Sequence, residues 1–425
     1  MAYTETTTTS YGTRVGNSFK GIGTGILMFL AGTALLWWNE GRFVKTDKML
    51  NEAQGKTEEL ASIDKVNADM DGQLVYATGT AVTTDSLVDP DFGIGVTAVK
   101  MKRTVEYYQW VEQTKTETKD KLGGGQETKT TYTYKMDWVS SPVESSQFKD
   151  PAYQSKNFVL NTVENFDAAA EKVTFGAFTL NPGQINSIYG NDALDVKIDS
   201  MKLISMSNAT RQTARAKAAG NMATSITDTT KFVHVANNTL YYGMNPGSPS
   251  VGDVRITWTY VKPQNKVTII AVQKDNTFTD FKAKNGKKFS TLVMGTKTVD
   301  EIYESEHEGN STLMWILRVV GIMIVIGGLK GIFGFLETIL KVVPFIANIF
   351  GWGVGVVCTV VGLVWSLIII ALAWLFYRPV IGITLLVIAG FLVWVFAFKG
   401  KDKLKELAAN AKARNAGPAP TEPGV

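Results

Sequence analysis

Cysteine is almost missing from this 425-residue sequence: the single thiol, Cys358, lies inside an apolar run. The polar middle of the chain can therefore form no intrachain disulfide and no cysteine-built zinc site, and must be held by a hydrophobic core. Histidine is nearly as scarce. His234 and His307 stand about 70 residues apart, and neither belongs to a nucleophile-elbow or zinc-helix pattern. Glu106 and Glu112 share a strand face, where a solvated surface explains them better than an acid/base pair. A one-sided charge excess is lacking as well. Residues 43–312 carry 30 Lys and Arg against 33 Asp and Glu, so the net +4 comes from the ends. That balance leaves no positive stripe for nucleic acid, which is not expected as a partner. The triple glycine at 123–125 is followed by no Lys-Ser/Thr, so it is not a phosphate loop. No catalytic residue, cofactor site or metal site is expected, and the chain does not read as an enzyme.

What the sequence does have is long apolar runs. Residues 21–38 just suffice to cross a hydrocarbon core of ~30 Å. Trp37 and Trp38 stand where a signal-peptide cleavage site would need small residues, so the run reads as an uncleaved anchor. Further spans are expected at 313–329, 352–376 and 380–398, with an interfacial amphipathic helix at 331–343 between the second and third. The basic tail 399–425 marks the cytoplasmic side by the Lys/Arg bias. Four crossings then place the polar N-terminal segment 1–20 on that same side and residues 43–312 outside the cytoplasm, in a periplasm or a lumen. The corresponding membrane is a bacterial inner membrane, or the endoplasmic reticulum and nuclear envelope in a eukaryote. Asn208, Asn237 and Asn310 head Asn-x-Ser/Thr sites that would matter only in a eukaryotic lumen.

Between the first two spans the pattern is that of strands. Residues 101–119 alternate, with Val105, Tyr107 and Gln109 on one side and Glu106, Tyr108 and Trp110 on the other. With residues 129–139, across the glycine turn, they predict a long antiparallel hairpin. Residues 254–261 and 266–273 predict a second hairpin across Pro263. Residues 207–231 read as a polar surface excursion. The fold class expected is α+β: a four-span helical membrane region with a large β-rich extracytoplasmic domain inserted between spans 1 and 2.

Four motifs resemble the LUMA, or transmembrane protein 43, family. They are Asn39-Glu40-Gly41-Arg42 after the first span; Tyr108, Gln109, Trp110, Val111 and Glu112 with Tyr132, Tyr134 and Trp138 in the hairpin; Gly252-Asp253-Val254-Arg255; and Trp374 followed by Tyr377-Arg378-Pro379. The resemblance implies four spans, a lumenal or periplasmic insert and no established enzymatic reaction. Its animal members look like scaffolds of the endoplasmic reticulum and inner nuclear membrane with partners such as lamins and emerin, and some are proposed to modulate channels or junctions.

Several residues are candidates for function. Asn39, Glu40, Gly41 and Arg42, with Tyr377, Arg378 and Pro379, form a collar where Glu40 and Arg42 are expected to pair near Arg378 or Glu301–Glu308. Arg318 reads as an interfacial anchor. The aromatic stripe Tyr108, Trp110, Tyr132, Tyr134 and Trp138 suits core or lipid-interface packing, or a stacking platform. Gly21 with Gly25, and Gly351 with Gly355, have the spacing that lets membrane helices approach. The function expected is a membrane scaffold or sensor that organises membrane protein assemblies through its outer domain, with the lipid bilayer, a second copy of itself and other membrane proteins as partners. An ion channel subunit or channel modulator is the alternative.

Overall fold

In the computed structural model the described residues are 2–217, 226–340, 344–380, 382–384 and 387. Helix α1, Tyr11–Gln54, starts at Ser10, whose hydroxyl accepts from the Thr13 amide, and ends at Gly55. It carries the first apolar run in its middle. Helices α2, Pro182–Ser187, and α3, Ser200–Lys217, are short by comparison. Helix α4 runs Val299–Leu340 and α5 Pro344–Tyr377. The helices α1, α4 and α5 each contain a stretch long and apolar enough to cross a membrane. The expected interfacial helix at 331–343 is not a separate element, because Gly331–Leu340 continues α4 without a break. Lys330 interrupts the apolar run but not the backbone hydrogen bonding, since lysine is a good helix former. Most of the fourth span, 380–398, and the whole tail, 399–425, lie outside the described residues.

The chain divides into two units. The first contains Met1–Ser18, Lys45–Asn310 and Leu336–Phe350; the second contains Phe19–Val44, Ser311–Phe335 and Gly351–Val425.

The first unit is built on two sheets. Nine strands suffice to describe them: β1 Tyr3–Thr9, β2 Leu74–Val82, β3 Lys100–Asp120, β4 Gln126–Val139, β5 Val233–Ala236, β6 Thr239–Tyr242, β7 Val254–Val261, β8 Gln264–Lys274 and β9 Thr291–Met294. An eight-stranded sheet has the order β1-β4-β3-β7-β6-β5, with short strands at Asp192–Ala193 beside β7 and at Phe166–Ala169 beside β3. The predicted hairpin is present as β3 and β4 in antiparallel register, Tyr107 opposite Val139 and Asp120 opposite Gln126. Alternation gives it a dry face and a wet face: Val105 and Tyr107 join Ile256, Trp258, Leu240 and Phe232 in the core, while Glu106, Tyr108 and Trp110 point the other way.

The second predicted hairpin does not form. β7 is paired on one edge by β3 and on the other by β6, which leaves it no free edge for β8. The chain instead changes sheets at Lys262-Pro263, where proline has no N–H to give a ladder. β8 pairs with β2 over Gln264–Val272 and with β9 in the second, seven-stranded sheet. Phe175, Phe178 and Phe278 fill that sheet's core, and each such burial contributes roughly 1.5–3 kcal/mol. The first part of the expected excursion 207–231 belongs instead to α3, which starts at Ser200 and runs to Lys217 with Ser207, Thr210 and Ala214 buried.

The polar N-terminal segment is ordered on the hairpin. β1 pairs with β4 from Tyr3↔Tyr132 to Thr9↔Gln126, threonine being a good strand former. Arg14 then donates to the carbonyls of Gly124 and Gly125 at 2.8 and 3.2 Å and ion-pairs with Asp120 at 2.8 Å. This pairing and the expected orientation, with the N-terminus and the domain on opposite faces of a bilayer, exclude one another in any one state of the chain.

The hub of the larger sheet is Asp89. Its buried carboxylate accepts from Arg103 at 2.7 and 2.9 Å, from Trp258 Nε1 at 2.8 Å and from the Asp91 amide at 3.0 Å. Trp258→Phe removes one donor from this carboxylate and leaves a small cavity. The variant should lose about 1–3 kcal/mol, read as a lower thermal midpoint of the purified chain. Trp110→Phe, on the opposite face, should cost less.

Candidate functional site

The second unit brings buried polar groups together in an apolar setting. Glu40 lies on α1 with 0% side-chain exposure, and Arg318 lies on α4 with 8%. Their side chains meet in a two-pronged ion pair, Arg318 Nε to Oε1 at 2.6 Å and Nη2 to Oε2 at 2.8 Å. Trp374 of α5 donates its Nε1–H to Glu40 Oε2 at 2.6 Å. The guanidinium is also stacked on Trp315 and Trp374, 4.7 and 5.4 Å from the ring centroids. A planar fork matches a carboxylate in two parallel bonds, and an indole face receives the cation. One carboxylate thus ties three helices together.

The neighbouring residues complete the arrangement. Asn39 donates from Nδ2 to the Met314 carbonyl of α4 at 3.0 Å. Gly41 lies so close to the Tyr377 ring that a Cβ there would sit 2.5–2.9 Å from ring atoms. Arg378 stacks 5.1 Å from the Phe43 centroid, and Trp37 packs against Phe376 and Tyr377. The structure thus brings Gly41 against Tyr377, and it gives the Glu40 carboxylate a different partner from the expected one. Glu40 pairs with Arg318, not with groups near Arg378 or Glu301–Glu308. Arg318 does not snorkel, because a buried carboxylate awaits it. The available signal is one acidic residue just past the end of the first apolar run and one basic residue a turn inside the second, on successive helices, where each alone is costly.

Close backbone contact supports the same interface. A Cβ on Gly25 would lie 2.6–2.9 Å from backbone atoms of Ile332, Gly328 and Gly331, and Gly21 also faces Gly331. This glycine pair thus packs α1 against α4 within one chain. Gly355 has open space around its Cβ position, and the surroundings of Gly351 lie outside the described residues.

In the first unit the aromatic stripe is already largely covered. Tyr134 stacks on Tyr153 at 4.2 Å and leans on Phe148, Trp110 meets Tyr153 edge-on, and Tyr3 lies 6.1 Å from Tyr132. Burial and a hydrogen bond to Glu112 push the Tyr134 hydroxyl up to about 12. Tyr108 and Trp138 form the remaining pair, at 5.2 Å. Among the described residues no group of three His, Cys, Asp or Glu side chains is placed to hold a metal ion.

The sequence model described as Transmembrane protein 43 matches residues 107–379, more than half of the chain. The chain belongs to that family. It is 30% identical over 376 residues to Transmembrane protein 43 of Rattus norvegicus and likewise of Homo sapiens, with 86% of each chain covered. To the Transmembrane protein 43 homolog of Drosophila melanogaster it is 23% identical over 367 residues, covering 85% of this chain and 90% of the fly protein. No solved structure matches. As a member of the Transmembrane protein 43 family it is an integral membrane protein with three candidate spans among its described residues.

Breaking a buried ion pair from one side strands the other charge. Arg318→Met should cost about 3–5 kcal/mol, whereas the double variant Glu40→Gln with Arg318→Met should recover most of that loss. Thermal midpoints of the purified variants in one detergent check both.

Proposed function

We propose that this protein is a membrane scaffold or sensor that organises membrane protein assemblies through its large domain and through self-association. The observation that supports this reading most is the closed Glu40–Arg318–Trp374 cluster. A conduction or transport pathway uses its intramembrane charges to meet a solute, whereas these charges are spent on each other and on joining helices. A rigid helical anchor carrying a large β-rich domain suits a protein that recruits others. Its partners are the bilayer, further membrane proteins and a second copy of the chain. The reaction chemistry of an enzyme is not part of this reading.

A specific observation favours the alternative, a channel subunit or channel modulator. Asn39 Oδ1 and Ser366 Oγ are buried in the helical unit with no hydrogen-bond partner, and polar atoms left over in an apolar bundle are a place for water or ions. Full-length protein reconstituted in liposomes separates the two readings. The scaffold should carry no selective ion current and should cross-link to itself and to neighbours in native membranes. A selective current that vanishes in Asn39→Ala would overturn the scaffold reading.

Orientation decides where those partners are sought. With Cys358→Ala as background, Ser248→Cys in an exposed loop and Thr7→Cys on β1 are labelled in intact membranes by an impermeant maleimide. Opposite labelling of 248 and 7 is expected if α1 crosses with the domain outside and β1 released. Equal labelling means that β1 stays on the hairpin, and the orientation inferred from the basic tail fails.

A further inference from the structure

Asp253 immediately precedes β7 and is 1% exposed. Its Oδ2 accepts from the Tyr241 hydroxyl and, at 2.9 Å, from the Ser250 amide. Oδ1 is buried with no hydrogen-bond partner. The cradle is closed: a Cβ on Gly243 would strike the carboxyl, and one on Gly252 would strike Phe158. Unlike Asp89, which has Arg103, this carboxylate has no ion-pair partner among the described residues. Arg255 of β7, two residues further along the chain, is spent on Glu106 of β3 at 2.7 Å and on the Trp138 ring at 4.4 Å. The other titratable groups around the Asp253–Tyr241 pair are His234 of β5, whose ring lies 6.3 Å from that of Tyr241, and Tyr108 of β3, whose amide donates to the Asp253 carbonyl. Without an adjacent positive charge, a carboxylate buried this way is stabilised most readily by binding a proton.

We propose that Asp253 is a proton-binding site, and that proton uptake there reverses the Tyr241 hydrogen bond and turns it toward the loop at Asn245. In the charged form Tyr241 donates to Oδ2. One proton taken from solvent onto Oδ2 makes that oxygen a donor to the Tyr241 hydroxyl oxygen. Tyr241 keeps its own proton and swings it to the Asn245 carbonyl, 3.5 Å away. The Ser250 amide retains a lone pair on Oδ2. No bond other than O–H forms, and no proton is released. Burial supports this assignment: it raises the Asp253 carboxyl to about 6 against the opposing effect of Tyr241 and Ser250. Burial and Asp253 together push Tyr241 far above its ordinary range, so the tyrosine stays protonated throughout. The site goes beyond the scaffold reading and does not depend on it.

The sign of the stability effect follows from the raised carboxyl. The folded state binds the proton more tightly than the unfolded chain, so this contribution is complete below the ordinary aspartate range and is lost as pH rises through about 6. The test is infrared difference titration of the full chain in nanodiscs, following the carbonyl stretch of a protonated carboxylic acid. A band should grow in with a midpoint near pH 6 and vanish in Asp253→Asn. In Tyr241→Phe, which removes a donor to the charged form, the midpoint should move upward. His234→Gln should leave it in place. A band that rises only in the ordinary carboxylate range, that survives in Asp253→Asn, or whose midpoint ignores Tyr241→Phe overturns the assignment.

Discussion

A carboxylate and a guanidinium placed together among apolar helices constrain everything around them. Moving either ion alone out of water costs several kcal/mol, so Glu40 and Arg318 can be buried only if α1 and α4 hold them in register. The two prongs of the arginine and the indole N–H of Trp374 supply that register for three helices at once. The close approach at Gly25 and Gly328 then follows, since helices pinned at one end by a short ion pair lie near each other along their length only where side chains are absent. The pair is weak as a source of net stability and strong as a specifier of which helix faces which.

The β-rich unit solves a different problem with similar parts. Asp89 is also buried, and Arg103, Trp258 and a backbone amide answer it almost completely. Asp253, equally buried, is answered by a hydroxyl and an amide alone. Two aspartates packed against the larger sheet therefore differ in kind, because one has an arginine beside it and the other does not.

Much of this was legible in the residues. The 100–139 hairpin could be read because period-two alternation is long there and the turn glycines are unmistakable; its register leaves Tyr108, Trp110 and Trp138 on one face as expected. The family resemblance rested on motifs that the match over 107–379 contains in large part. Residues 254–273 were misread for a physical reason. Local pattern shows that two segments are strands but not which edges are free, and β7 had both edges filled by segments more than ten residues away in sequence. Arg318 was misread because depth in a bilayer is inferred one span at a time, while a charge's partner lies on another span. The expected end of the second span at 329 follows hydropathy, whereas helix propensity carries α4 through Lys330.

The crossing at Lys262-Pro263 has a kinetic consequence. β3 and β4 are neighbours in sequence and can pair as soon as they are synthesised, but β2 must wait for β8, about 190 residues later, and β3 for β7, about 150 residues later. Such long loop closures are slow. Throughout that wait the apolar edge of β2 is exposed while α1 is already available to the membrane, which makes the interval between synthesis of residues 82 and 264 the period in which this chain is most open to mispairing or to capture by a chaperone.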